Sequence, residues 1–233
     1  MLILVWLLSY WIVNPAKQSL QKQARFISEA SHEIKTPLTI ISAGLELLGS
    51  EKLSPSAKKW LDDIKMQTGK MTTMTNDLLE MSKLNEGNVI ETNEFDLSST
   101  VLSSTLNFES VAFEQGKTFK TDIQNGVIYK GDPQAISQAV SILCDNAIKH
   151  SDDNSDIEIK LVGKVLTVSN FNSVIRQSEL PLLFERFYRG SESRAKTQGT
   201  GLGLSILKDL ADKNNWRIDV KKDSKKILFT VTF

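Results

Sequence analysis

The chain has 233 residues, and its 28 Lys and Arg balance 28 Asp and Glu, so the formal net charge is zero. This balance argues against an obligate nucleic-acid-binding protein, because such proteins carry a basic excess. A single cysteine, Cys144, excludes an internal disulfide, and the sequence has no cluster of Cys and His residues that would predict a structural zinc site. Hydrophobic residues make up 40% of the chain and charged residues 24%, which is the composition of a globular protein of one large or two modest domains.

The N-terminal segment, residues 1–15, opens with 13 almost wholly apolar residues. As a helix they would extend about 20 Å, which is short of the roughly 30 Å hydrocarbon core of a bilayer. Trp6, Tyr10 and Trp11 are typical of a membrane interface, and basic residues follow them. The segment predicts the last part of a transmembrane helix that holds the protein at the cell membrane, with the rest of the chain in the cytoplasm. A buried N-terminal helix of a soluble protein is the alternative.

Residues 16–86 contain two long helical patterns, separated by a turn at Ser54 and Pro55. The apolar stripes comprise Ile27, Ala30, Ile34, Leu38, Ile41, Leu45 and Leu48, then Trp60, Ile64, Gln67, Met71, Met74, Leu78 and Met81. Their spacings of three and four are close to those of a coiled-coil seam. The segment therefore predicts an antiparallel helical hairpin. Because one hairpin cannot bury both sides of its stripes, we expect a homodimer that forms a four-helix bundle.

A polar group interrupts the first stripe at residues 31–38 (SHEIKTPL). An exposed His32 imidazole could act as a nucleophile, with Glu33 taking the proton from the ring. Thr36, one helical turn further on, could position a water molecule for the reverse chemistry. Pro37 cannot donate to the carbonyl group four residues earlier, so it predicts a kink. The alternative is a solvated surface histidine on a coiled coil.

Residues 87–233 change to a mixed pattern of short strands and helices. The predicted strands are 118–123, 127–130, 156–162, 165–171, 216–221 and 227–233, and the predicted helices are 97–115, 133–150 and 202–214. Tight connections between several strands favour a mixed sheet with helices on one face. The fold class is therefore multidomain, with an α-helical hairpin followed by an α+β sandwich.

The predicted helix 133–150 carries Asn146, Lys149 and His150 on one face near its C-terminal end. An amide oxygen can ligate Mg²⁺, and a lysine can neutralise phosphate. An ordinary solvated helix end would present the same residues.

A glycine-rich segment leads into the last predicted helix and contains Gly199, Gly201 and Gly203. Glycines allow the backbone to approach a polyphosphate, and the following helix N-terminus offers free N–H groups. Upstream, Arg186 and Arg189 stand among aromatic residues and could reach phosphate. The polar stretch between these two segments has the composition of a mobile lid.

Taken together and in this order, the segments from about residue 16 to 233 resemble a sensor histidine kinase of a bacterial two-component system. The most specific segments are 26–38 (FISEASHEIKTPL), 138–151 (QAVSILCDNAIKHS), 183–190 and 199–204. The resemblance implies a dimerisation and phosphotransfer hairpin (16–86), followed by an ATP-binding catalytic domain of the Bergerat fold (87–233). It also implies a response-regulator receiver domain as partner and no nucleic acid.

The resemblance assigns a role to each site residue. It implies that His32 is autophosphorylated, that Glu33 is its acid/base neighbour and that Thr36 serves in dephosphorylation of the response regulator. ATP and Mg²⁺ are the implied cofactors, with Asn146 as the metal ligand. The implied nucleotide-contact residues are Lys149 and His150, Arg186 or Arg189 at the phosphates, and Gly199, Gly201 and Gly203 at the lid hinge.

One segment departs from the family pattern. Asn170, Asn172 and Val174 stand where an Asp-x-Gly-x-Gly motif is usual, and Ile142 replaces a second asparagine. The usual aspartate accepts a hydrogen bond from the adenine amino group, and Asn170 could accept one through its amide oxygen as a neutral, weaker partner. The leading function is an ATP-dependent histidine kinase. The alternatives are a degenerate transmitter that acts mainly as a response-regulator phosphatase or docking module, and a chaperone-like ATPase without kinase activity.

Overall fold

The computed structural model describes residues 27, 30–31, 34–49, 52–85, 92–190 and 199–233. The chain divides into two compact units, Met1–Asn88 and Val89–Phe233. The predicted membrane segment (1–15), His32, Glu33 and most of the predicted lid lie outside the described residues. Among the helices that are described, none is both long enough and apolar enough to cross a bilayer.

The first unit contains a helical hairpin, as the sequence predicts. Helix α1 is described over residues 34–49, and helix α2 spans Pro55–Asn85. The Ser54 hydroxyl accepts a hydrogen bond from the Ala57 N–H at 3.3 Å and so caps the start of α2. At the other side of the turn, a Cβ atom added to Gly49 would lie 3.6 Å from Leu61 Cδ2, which shows that α2 returns alongside α1.

The hairpin places its apolar side chains on two different faces. One face is buried within the hairpin, and its members are Ser31, Leu38 and Leu45 before the turn and Leu61, Thr68, Thr75, Leu79 and Ser82 after it. Met81 is also buried, although it lies one heptad after the exposed Met74. The other face is exposed in the single chain, and its members are Ile34, Ile41, Leu48, Trp60, Ile64, Met71 and Met74. The sequence stripes therefore correspond mostly to the exposed face, and the hydroxyl residues of the buried face were not predicted.

The buried threonines satisfy their own polar groups. The Thr68 hydroxyl donates to the Ile64 carbonyl oxygen at 2.9 Å, and the Thr75 hydroxyl donates to that of Met71 at 2.8 Å. Such bonds to the carbonyl group four residues earlier remove the cost of burying a free hydroxyl. Threonine can therefore occupy the hairpin seam without a partner on α1.

The second unit is an α+β sandwich. Its strands are β1 (Asn93–Asp96), β2 (Thr118–Ile123), β3 (Ile128–Gly131), β4 (Asp156–Val162), β5 (Val165–Phe171), β6 (Arg217–Asp223) and β7 (Lys226–Thr232). Its helices are α3 (Leu97–Leu106), α4 (Glu109–Glu114), α5 (Pro133–His150) and α6 (Gly203–Asn214), with a 3-10 helix over Gln177–Phe184.

The main sheet has the strand order β2-β4-β5-β7-β6, and β1 pairs with β3 in a separate antiparallel ribbon. Strands β2 and β4 are parallel, whereas the other neighbours in the main sheet are antiparallel. The prediction of a mixed sheet is therefore confirmed.

Alternation along the strands separates the two faces of the sheet. Ile157, Ile159 and Leu161 of β4 are fully buried, as are Leu166 and Val168 of β5. Helices α5 and α6 cover this side, and α5 also packs on α3. Asn170 is in phase with the buried residues of β5, so its side chain points into the helix-covered side of the sheet.

Three elements differ from the sequence prediction, and one of them is the 3-10 helix over Gln177–Phe184, which was not predicted. The predicted helix 97–115 is broken into α3 and α4, because the Phe108 N–H bonds back to the Thr105 carbonyl oxygen in a tight turn. Strand β1, four residues long, was not predicted, because it pairs only with the equally short β3 and shows no clear alternation of burial.

Candidate functional site

Helix α5 supplies one side of the candidate site. Asp132 caps its N-terminus by accepting a hydrogen bond from the Gln134 N–H at 2.8 Å, and Pro133 occupies the first turn. Leu143 and Ala147 anchor the helix in the core. The polar face predicted from Asn146, Lys149 and His150 is half-buried and lies along the last turn and a half of the helix.

Lys149 forms an ion pair along the helix. Its ammonium group lies 2.7 Å from Asp145 Oδ2, and its side chain is 36% exposed. Pairs of this kind, four residues apart and partly exposed, contribute only about 0.3–0.5 kcal/mol to stability. Lys149 can therefore exchange this carboxylate for a phosphate at little cost.

His150 lies at the C-terminal end of α5. Burial lowers its pKa most strongly, and the positive charges of Lys149, Arg189 and Lys117 lower the pKa further, while Asp145 opposes them. The imidazole is therefore neutral near pH 7 and offers one donor and one acceptor nitrogen to a ligand.

Asn170 contributes a buried acceptor that lacks a partner. The residue is 1% exposed, and its Oδ1 atom has no hydrogen-bond partner among the residues that the structure describes. Its Nδ2 atom donates to the Phe171 carbonyl oxygen at 3.3 Å. A buried acceptor without a donor costs about 1–3 kcal/mol, and such a group is often part of a ligand site. Asn170 therefore fits the role expected of a residue that receives the amino group of adenine.

Asn172 organises the loop that follows β5. Its amide oxygen accepts hydrogen bonds from the N–H groups of Val174 at 3.1 Å and Ile175 at 3.0 Å. Its amide nitrogen donates to the His150 carbonyl oxygen at 2.9 Å. The loop is thus closed by side-chain hydrogen bonds and fastened to the end of α5.

The loop does not need the glycines that the family pattern would place in it. Among the described residues, the non-glycine residues with positive φ are Asn154, Phe187, Asn215 and Ser224, and neither Asn172 nor Val174 is one of them. Asn172 and Val174 therefore occupy positions whose backbone conformation does not require glycine.

A second connection joins the same two loops. The Asp152 carboxylate accepts hydrogen bonds from the Ser173 N–H at 3.2 Å and from the Ser173 hydroxyl at 3.1 Å. The Asp152 N–H in turn donates to the Phe171 carbonyl oxygen at 2.9 Å. These contacts fix the backbone on both sides of Asn172 and directly after Asn170. Sequence analysis did not identify Asp152, because an acid in a polar loop carries no distinctive signal.

The two candidate arginines differ in their surroundings. Arg186 forms an ion pair with Asp209 on α6, with Nη2 3.2 Å from Oδ2. Burial raises the pKa of Asp209, and Arg186 opposes this by stabilising the carboxylate. Arg189 is the arginine whose charge acts on His150. Arg186 is therefore engaged by a carboxylate of α6, whereas the charge of Arg189 contributes to the lowered pKa of His150.

The three glycines predicted at the lid hinge have different structural roles. Gly201 has a φ of +74°, and a Cβ atom there would lie 3.0 Å from the backbone of Phe187 and of Tyr188. The Phe187 N–H also donates to the Gly201 carbonyl oxygen at 2.9 Å. A Cβ on Gly199 would meet no described atom, and one on Gly203 would make an ordinary 3.6 Å contact with Ile142. Only Gly201 is required by its backbone and its close packing.

In the second unit, the Asn172–His150 hydrogen bond joins the loop after Asn170 to α5, and a Cβ atom on Gly203 would lie 3.6 Å from Ile142 of the same helix. Thr36 is exposed on α1 in the first unit, and its predicted partners His32 and Glu33 lie outside the described residues. Within the described ranges, no group of three or more His, Cys, Asp or Glu residues could hold a metal ion.

Two family models match the chain. The model described as histidine kinase-, DNA gyrase B-, and HSP90-like ATPase matches residues 131–233. The model of the His Kinase A (phospho-acceptor) domain matches residues 22–87. Together they cover both units of the chain.

Curated relatives align with nearly the whole chain. Sensor protein DltS of Streptococcus agalactiae serotype III (strain NEM316) is 34% identical over 216 residues, which are 91% of this chain and 54% of that protein. Sensor histidine kinase YkoH of Bacillus subtilis (strain 168) is 35% identical over 213 residues, 88% of this chain and 46% of that protein. The chain thus spans about half the length of the curated relatives it matches.

Solved structures share the fold. Full-length ShkA, determined in complex with AMPPNP, superposes with a TM-score of 0.69 at 17% identity and covers 89% of this chain and 45% of its own. The Acinetobacter baumannii histidine kinase AdeS gives a TM-score of 0.60 at 22% identity, with 87% of this chain and 96% of its own covered. At these identities the likeness establishes the architecture of a helical hairpin followed by an α/β domain with a mixed sheet.

Proposed function

The chain belongs to the sensor histidine kinases of two-component signal transduction, and on this premise we propose that it phosphorylates His32 from ATP and passes the phosphoryl group to an aspartate of a response regulator. The observation that carries the proposal is the buried Asn170 Oδ1 atom, an acceptor in need of a donor. Asn170 lies near the end of β5, and the loop that follows is fastened to the polar end of α5 through Asn172 and His150. This combination suits a purine nucleotide with its phosphates near Asn146 and Lys149.

Different residues of the second unit would then bind different parts of the nucleotide. Asn170 receives the amino group of the base, and the neutral His150 contributes a hydrogen bond without adding charge. Lys149 and Arg189 place positive charge near the phosphates. Asn146 would hold Mg²⁺, which supplies charge neutralisation at the phosphates when it is bound with the nucleotide.

Phosphoryl transfer to His32 depends mainly on the positioning of the imidazole and the γ-phosphate relative to each other. One ring nitrogen attacks the γ-phosphorus, a new N–P bond forms, and the bond to the bridging oxygen breaks to release ADP. Glu33 holds the proton of the other ring nitrogen, so the imidazole stays nucleophilic. Most of the rate enhancement then comes from orientation and charge neutralisation.

The exposed face of the hairpin supports a homodimer. Ile34, Ile41, Ile64 and Met71 are between 42% and 52% exposed in the single chain. They follow the helical repeat on both helices, so a second hairpin can cover them all at once in a four-helix bundle.

The receiver domain of the response regulator would bind the outer side of α1. Ile40 is 68% exposed and lies one turn beyond Thr36, on the side of the helix that faces away from the buried Leu38. An apolar side chain beside the phosphotransfer residues suits a transient protein contact. Attachment to the cell membrane through residues 1–15 stays a prediction.

A labelling experiment tests the kinase proposal. The chain is incubated with Mg²⁺ and ATP labelled at the γ-phosphate, alongside His32→Ala as the matched control. We expect an acid-labile, alkali-stable label in the wild type and none in the variant. Absence of label from a dimeric protein that binds ADP would overturn the kinase proposal.

The neutral Asn170 and the apolar Ile142 favour one second candidate, a transmitter that binds ATP weakly and acts mainly as a response-regulator phosphatase. Thr36 is present and exposed on α1, as this activity requires. Loss of acyl phosphate from a phosphorylated receiver domain, dependent on Thr36 and undiminished in His32→Ala, would identify this candidate.

A further inference from the structure

Asn170 differs from a carboxylate at the same position in one chemical respect. An ionised carboxylate only accepts hydrogen bonds, whereas an amide carries an acceptor and a donor on either side of one carbon. We propose that Asn170 allows the base site to accept either an amino or an oxo group at position 6 of the purine. Inosine and guanosine nucleotides, which carry the oxo group, would then bind in addition to adenine nucleotides. The inference rests on the proposed nucleotide binding of this unit.

The backbone around Asn170 is fixed, so any adjustment falls on its side chain. Asn170 pairs with Ile157 of β4 and with Ile227 of β7 in the middle of the sheet. The terminal torsion of an asparagine is broad and close to two-fold. Rotation by half a turn exchanges Oδ1 and Nδ2 without any movement of the strand.

This rotation replaces the hydrogen bond from Asn170 Nδ2 to the Phe171 carbonyl oxygen with a contact between that oxygen and Oδ1, at a cost of up to about tenfold in affinity. The Nδ2 bond to the Phe171 carbonyl oxygen is long, at 3.3 Å. The same carbonyl oxygen accepts a shorter hydrogen bond, 2.9 Å, from the Asp152 N–H. When Nδ2 turns away, Phe171 therefore keeps its stronger donor, and no buried backbone group loses its only partner.

Each orientation of the amide then matches one class of base. In the observed orientation of the amide, Oδ1 would accept a hydrogen bond from the 6-amino group of adenine. After rotation, Nδ2 donates to the 6-oxo group of hypoxanthine or guanine. A carboxylate at this position would face that oxo group with a second acceptor, and sites built on a buried hydrogen bond reject ligands that lack the matching group.

Calorimetric titration of the whole chain with ADP and IDP tests the inference. IDP differs from ADP only at position 6 and in the proton on N1. GDP carries a 2-amino group in addition, so a comparison of GDP with IDP separates the effect of ligand size from that of hydrogen bonding at position 6. We expect the wild type to bind IDP within about tenfold of ADP and Asn170→Asp to widen the ratio at least tenfold, in keeping with the cost of an unmatched buried group. Asn76→Asp, which makes the same chemical change on an exposed site of α2, should leave the ratio unchanged.

The outcomes separate the inference from the proposed function. If the wild type binds ADP but rejects IDP by more than about a hundredfold, the inference is overturned and nucleotide binding stands. If neither nucleotide binds to the folded chain, both are overturned. The wild-type ratio alone decides the matter if Asn170→Asp fails to fold.

Discussion

The Asn172 side chain donates a hydrogen bond to the His150 carbonyl oxygen at 2.9 Å, which fastens the loop after β5 to the end of α5. The same side chain closes its own loop by accepting from Val174 and Ile175. Together with the contacts between Asp152 and Ser173, Asn172 therefore fixes the loop after Asn170 against the end of α5. Where the family pattern has a glycine, Asn172 provides a side chain that connects the loop after β5 to α5.

Replacement of Asn172 should weaken nucleotide binding indirectly, because the loop after β5 would lose its connection to α5. Asn172→Ala leaves three backbone groups without this partner, and we expect a loss of about 1–3 kcal/mol in the free energy of unfolding. Asn172→Asp keeps the acceptor for the loop but removes the donor to His150, so it isolates the connection to α5. Urea denaturation and ADP titration of both variants measure the two effects. Unchanged ADP affinity in a folded Asn172→Asp protein would contradict the positioning role.

Gly201 should be the only glycine of its segment that resists substitution. Gly201→Ala places a Cβ atom 3.0 Å from the backbone at Phe187 and Tyr188 and forces alanine to a φ of +74°. We expect a loss of about 1–2 kcal/mol from the left-handed backbone alone. Gly199→Ala and Gly203→Ala are the matched controls, because their Cβ atoms meet no close described atom. Equal denaturation midpoints for all three variants would show that the left-handed turn is dispensable.

The stability of the second unit should fall on acidification partly through His150. Burial lowers the pKa of His150 below its ordinary value of 6.5, so the unfolded chain binds a proton that the folded chain does not. The resulting contribution to stability is complete above pH 6.5 and is lost as the pH falls towards the lowered folded pKa. His150→Gln cannot take up this proton, so its stability should decline less between pH 7.5 and pH 5.5. Parallel decline of the two proteins in urea denaturation would contradict the assignment.

A charge on the exposed face of the hairpin should separate the dimer. Ile64 is 49% exposed in the single chain, and Ile64→Asp would put a carboxylate into the apolar centre of the proposed four-helix bundle. Light scattering after size exclusion should then report a monomer in place of a dimer. Asn76→Asp adds a similar charge on a different side of α2 and should remain dimeric. A dimeric Ile64→Asp protein at the same concentration would place the interface elsewhere.

The sequence predicted the fold best where one pattern governed one element. Strands β2, β4 and β5 have the predicted boundaries, because their apolar residues alternate and turn residues flank them. The break between α3 and α4 was missed, because both helices bury apolar residues at compatible spacing. Strand β1 was missed because its pairing with β3 is a tertiary event.

The candidate site was predicted in its residue types more than in its connections. Asn146, Lys149 and His150 share one face of α5, as their spacing predicts. The roles of Asp152 and Asn172 depend on two loops that lie about twenty residues apart in sequence, and no local pattern indicates such pairs. The separation of Arg186 from Arg189 likewise depends on Asp209, which belongs to a different helix.

The hydroxyl-lined seam of the hairpin has a consequence for how the first unit folds. Of its large apolar side chains, the described part of the hairpin buries five and exposes ten. A single hairpin therefore buries little apolar surface, and most of the hydrophobic stabilisation is gained only when a second copy covers the exposed side chains. By mass action, the fraction of folded hairpins should depend on protein concentration. Dilution should melt α1 and α2 first, while the second unit, with a core of its own, keeps its melting temperature.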